Sequence, residues 1–168
     1  MKIFRISATL GLVYFLLHSF LYPDWSPSKF KGLIPENIEV TKVLETGDNA
    51  LCRTAIFELS QSIIDNIRKN SLSAFADSKH ARDYKDDRER LYSYYTYSSW
   101  KETPAPIPKN ELAIRDIWFS DCGSSDKDLS RKVSNSLKAS GSYYAFIQDG
   151  GLIVIPNLGL AIVTYFHN

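Results

Sequence analysis

The chain has 168 residues, 44% of them hydrophobic, and its 20 basic and 19 acidic side chains leave a net charge of +1. That length holds one modest domain rather than two. The balanced charge and the absence of any basic stripe give no field for gathering nucleic acid, so nucleic-acid binding is set aside.

At the N-terminus, Lys2 and Arg5 precede ISATLGLVYFLLHSFLY, residues 6–22, which carry no charge. A basic flank followed by an apolar run is an export pattern, read before any fold is considered. The residues after Leu17 supply no pair of small side chains for a signal peptidase, which favours an anchor over a cleaved signal peptide. No cysteine follows the run closely, so a lipid-modified cysteine anchor is excluded. The apolar length sits at the lower edge of the about 17 to 25 residues that span a bilayer. Tyr14, Tyr22 and Trp25 suit an interfacial belt, with the Lys2/Arg5 end cytoplasmic. Residues 1–25 are therefore expected to form a hydrophobic helix, a signal-anchor or signal peptide. The chain is then a single-pass inner-membrane protein with its C-terminal domain in the periplasm, or a periplasmic one if the leader is cut.

Residues 26–36, SPSKFKGLIPE, read as a linker from their Pro, Ser and Lys content, and residues 37–168 as the exported domain. Alternation at Ile38, Val40 and Val43, a TGDN turn, and Ala55, Phe57 and Leu59 on the returning strand predict a hairpin. Cys52 lies on its second strand. Cys52 and Cys122 are the only cysteines, and an even pair in an exported domain predicts a disulfide. Closing a loop of about 70 residues has an upper entropic value of about 4 kcal/mol.

Ser60 caps a predicted helix whose stripe is Ile63, Ile64 and Ile67, with Arg68 and Lys69 at its C-terminal end. Residues 77–90 carry ten charges of both signs and read as a solvated face or loop. Residues 91–100, LYSYYTYSSW, then read as a strand with Tyr92 and Tyr94 on one face and Tyr95 and Tyr97 on the other, continued by Trp100. Tyrosine buries a ring while its hydroxyl seeks a partner, so this is either sheet architecture or a binding strip for peptide or sugar.

A second helix is predicted from Ser125 as cap, Asp126 and Asp128 in the first turn, and a Leu129, Val133, Leu137 stripe. Gly141 stands where a left-handed terminator would. The chain ends in a meander: SYYAFIQ, a turn at Asp149-Gly150-Gly151, LIVI, a turn at Pro156-Asn157, and LGLAIVTYF.

Catalytic motifs are sparse. Ser98 to Lys101 has the S-x-x-K spacing of penicillin-recognising enzymes, but so do Ser26 to Lys29 and Ser124 to Lys127, and the companion motifs are missing. His18, His80 and His167 show no metal-ligand spacing. Asp121, Asp126 and Asp128 lack the rest of a calcium loop. No catalytic residue, metal or cofactor is assigned. The expectation is an α+β domain: a mostly antiparallel sheet of five or six strands with two packed helices, preceded by an N-terminal hydrophobic helix. Its expected role is to bind a protein partner in the envelope, as an immunity, inhibitor or accessory protein would. A small envelope hydrolase or glycan-binding module using Tyr92, Tyr94, Tyr95, Tyr97 and Trp100 is the alternative.

Overall fold

The computed structural model of the chain describes residues 27–48, 52–84, 95–104 and 124–166. Their elements run in order α1 (Pro27–Leu33), β1 (Val40–Asp48), β2 (Cys52–Leu59), α2 (Gln61–Asn70), a 3-10 turn (Ser71–Phe75), β3 (Lys101–Glu102), α3 (Lys127–Lys138), β4 (Tyr143–Ile147), β5 (Gly150–Ile155) and β6 (Leu160–Phe166). The six strands form one sheet in the order β1-β2-β6-β5-β4-β3, and every neighbouring pair is antiparallel. The α+β expectation holds, with one helix more than the sequence reading counted.

That helix is α1, within the stretch read as a linker over residues 26–36. Pro27 opens it, as proline can at a first helical position, because its missing N–H would be unbonded there anyway. Phe30, Leu33 and Ile34 follow at helical spacing, and all three are buried. The Pro, Ser and Lys content hid an apolar stripe that belongs to the core.

β5 is buried at every position and β2 at nearly every one, because both faces of the sheet are covered. Alternate residues point to opposite faces. Phe57, Leu152, Val154, Ala161 and Val163 join one core with Phe30 and Leu33 of α1, Ile64 and Ile67 of α2, and Phe75. Ile56, Ile153, Ile155 and Ile162 join a second core with Val133 and Leu137 of α3. The predicted stripes on α2 and α3 are these buried rows, with Ile63 and Leu129 packed at their margins.

The caps show why the helices begin where they do. Ser60 Oγ accepts from the Ile63 amide at 3.4 Å, as predicted for α2. At α3 the cap is Asp126 rather than Ser125: its Oδ1 accepts from the amides of Asp128 and Leu129 at 2.8 and 3.2 Å. Ser125 instead donates to Glu45 of β1, from its amide and its hydroxyl, both at 2.8 Å, and Ser124 donates to the same carboxylate. Burial alone would raise the Glu45 pKa; the hydrogen bonds from Ser124 and Ser125 outweigh it, and the net displacement is downward. This carboxylate pins the start of α3 to the sheet's edge. Gly141 does take a left-handed φ of 96°, beyond the Ala139 C-cap rather than at it.

The meander is as read, save for its glycines. β4 ends at Ile147 and β5 starts at Gly150, so Gly150 and Gly151 lie in the strand, not in the turn. A Cβ on Gly150 would sit 2.1 Å from the Thr164 carbonyl oxygen, so close strand approach requires glycine here.

Candidate binding cleft beside Trp100

The helix α2 stops at Ser71, which takes a left-handed φ of 49° while its amide donates to the Ile67 carbonyl. The chain turns there into the 3-10 segment, burying Phe75 and leaving Leu72 41% exposed. Residues 97–100 return alongside it. The Tyr97 amide donates to the Lys79 carbonyl at 2.8 Å, and the Ala81 amide to the Tyr95 carbonyl at 2.9 Å. On the other flank, the Ser98 amide donates to the Phe146 carbonyl at 2.8 Å, while Ser98 Oγ accepts from the Phe146 amide at 2.9 Å. Residues 97–100 are thus held between the 76–81 loop and β4 without being a strand, and only Lys101–Glu102 form the short β3.

The aromatic side chains of this segment divide by their partners. Tyr97 is 4% exposed, and its hydroxyl donates to the Leu33 carbonyl at 2.7 Å. Burial pushes its pKa far above the ordinary phenol range, so it is a fixed donor and not a proton shuttle. Trp100 donates from Nε1 to the Ser78 carbonyl at 2.9 Å and stacks on Phe75, with ring centroids 4.3 Å apart and planes 17° from parallel. Phe75 also meets Tyr143 at 5.1 Å, and Tyr97 meets Trp100 at 5.9 Å. Tyr95 is half-buried against the same core. Tyr92 and Tyr94 lie outside the described residues, as does Cys122. Cys52 is buried at the start of β2.

Between the 3-10 turn and residues 97–100 lies an open cleft of about 370 Å³. Phe75, Tyr97 and Trp100 contribute its aromatic wall, Leu72 and Ala76 one rim, and Lys79, Ser98 and Ser99 the other. Lys79 is the one charged residue among the described lining, and no carboxylate faces it there. Sequence reasoning found Tyr97 and Trp100 but not Leu72, Phe75 or Lys79. Their role arises from a contact between distant segments, which no local pattern encodes.

A second cleft of about 380 Å³ lies around His80, lined also by Glu36, Asp77, Arg82 and Tyr84. His80 is stacked on Tyr84 at 4.0 Å, and its Nδ1 lies 3.4 Å from the Thr96 hydroxyl. Among the described residues, no three His, Cys, Asp or Glu side chains gather as a metal site, and no helix is long and apolar enough to cross a membrane. The leader at residues 1–25 lies outside the described residues. Comparison with models of protein families, with curated proteins and with solved structures finds no match to this chain.

Proposed function

We propose that this chain is a non-catalytic envelope protein, tethered by its N-terminal apolar segment, whose folded domain binds a protein partner through the cleft beside Trp100. The observation that carries the reading is how the cleft's aromatic groups are spent. The Trp100 donor is committed to Ser78, one ring face to Phe75, and the Tyr97 hydroxyl to Leu33. What is left for a ligand is a rigid wall with an exposed leucine and a lysine at its rims. Such a surface favours an apolar side chain with an acidic neighbour over a sugar, which needs free donors and an open ring face. Among the described lining, the Tyr97 hydroxyl is held by the Leu33 carbonyl and Lys79 is the one charged side chain, an arrangement suited to docking an acidic, apolar surface.

The tether rests on the Lys2/Arg5 flank and the uncharged residues 6–22. A Cys52–Cys122 disulfide accords with the same placement outside the cytoplasm. The test is site-specific photocrosslinking in cells from a reactive residue at Ser99 of the full-length protein, with Lys69 as a control position. A discrete protein adduct from position 99 and not from 69 is the expected result. Equal adducts from both, or none from 99, would overturn the cleft as the binding site. Alkaline extraction of membranes checks the tether, since an anchored chain stays in the pellet.

A further inference from the structure

The strip at residues 97–100 spends its backbone donors unevenly. The Tyr97 amide donates to the Lys79 carbonyl and the Ser98 amide to the Phe146 carbonyl, both at 2.8 Å. Among the described residues, the next two amides, of Ser99 and Trp100, make no hydrogen bond, and neither does the Ser99 hydroxyl. Ser99 is exposed, and both residues line the cleft. Lys79 is exposed in the same lining, and among the described residues its ammonium makes no ion pair. Unspent donors and a cation thus share one small cleft with Leu72 and the stacked rings of Phe75 and Trp100.

A carboxylate accepts at two oxygens with about four lone-pair sites, and its hydrogen bonds from a cation and from backbone amides are of the stronger, charge-assisted kind. A polyol must donate as well as accept, and the described lining holds no carboxylate to receive it. The space is small: about 370 Å³, near the lower limit of ligand sites. A chain-terminal residue carries its carboxylate and its side chain on one Cα, so a single residue meets both the donors and the apolar wall. An internal acid divides those features between two residues and needs room for backbone on either side. Resting on the reading of the cleft as a protein-binding site, we propose that it captures the partner's C-terminal residue. The free α-carboxylate meets Lys79 and the amides of Ser99 and Trp100, and an apolar side chain rests against Leu72 and Trp100. Chain-end capture of this kind is a recurring mode of peptide recognition.

The test uses the full-length protein in lipid nanodiscs and pairs of N-terminally labelled hexapeptides ending in Leu or Phe. The members of each pair are identical save that one ends in a free carboxylate and the other in a carboxamide. Binding is read by fluorescence polarisation. The carboxylate forms are expected to bind, and amidation to weaken binding at least tenfold, as loss of a charge-assisted bond implies. Lys79→Gln should remove most of that difference, while Lys79→Arg, which keeps the charge, should retain it. Chain-end capture is overturned if acid and amide bind equally, if Lys79→Gln leaves their difference unchanged, or if no carboxylate peptide binds. In those cases an adduct from position 99 in cells would still uphold the cleft as the partner's site, so the two readings fail separately.

Discussion

The two faces of the sheet are covered by different parts of the chain. One face lies beneath α1, α2 and the 3-10 turn, with Phe30, Phe57, Phe75, Tyr97 and Tyr143 in a single core. The other meets α3, which contributes Val133 and Leu137 to a smaller core built mainly from isoleucines of the strands. The first face is made of large rings, with the Tyr97 hydroxyl and the Trp100 Nε1 tied to backbone carbonyls, and its margin is where the cleft opens. The second has one helix, fastened at its start by Glu45. The cleft thus sits on the face with the more redundant packing, where one side chain can be exposed at a rim without loosening the rest.

Five substitutions break or sharpen this contrast. Gly150→Ala strikes what both faces share, because its Cβ would collide with the Thr164 backbone and neither strand can yield alone. A loss of more than about 3 kcal/mol in urea denaturation is expected, and a near-native midpoint would show that the sheet flexes there. Next come paired core truncations. Phe57→Ala should cost about 3–5 kcal/mol and Leu137→Ala about 2–3 kcal/mol, the latter site lying under a single helix that can settle into the space. The reverse order would mean that α3, not the α1/α2 layer, holds the sheet.

Tyr97→Phe keeps the ring and removes the donor to the buried Leu33 carbonyl. About 1–2 kcal/mol should be lost, since the carbonyl is left without that partner, and calorimetry of the pair measures it. Smallest is Glu45→Gln, at about 1 kcal/mol near neutral pH for a half-exposed site. Its sign with pH is definite. A carboxyl whose pKa is lowered by folding stabilises the fold above its unfolded value, and that contribution disappears as pH falls through the folded value. The gap between wild type and Glu45→Gln should therefore narrow from about pH 6 to about pH 3 in paired denaturation curves. A constant gap would assign the anchoring of α3 to packing alone.

Much of this architecture was legible in the residues. Alternation at Ala55, Phe57 and Leu59, stripes at Ile64/Ile67 and Val133/Leu137, and the turn at Pro156-Asn157 are local signals, and each marks the element it announced. What escaped depends on who sits opposite. In α1, the same Pro, Ser and Lys that suit a linker also suit an exposed helix face, and only burial of Phe30 and Leu33 distinguishes the two. Glycines 150 and 151 look like turn residues until the approach of β6 gives the first its reason. Among the tyrosines, alternation separates two faces but cannot say which is inward; Tyr97 is, because the Leu33 carbonyl waits there.

The placement of β6 between β2 and β5 carries a consequence for when the molecule can form. Residues 52–58 of the N-terminal hairpin find their second neighbour only in residues 160–166, about a hundred residues further on. A nascent chain lacking β6 would present β2 with one edge and much of both faces bare, so the native sheet cannot close before β6 has emerged. The hairpin and the meander are two halves waiting for one seam. That seam sets the order of assembly: hairpin and meander can each form early, but the continuous sheet exists only once β6 lies between β2 and β5.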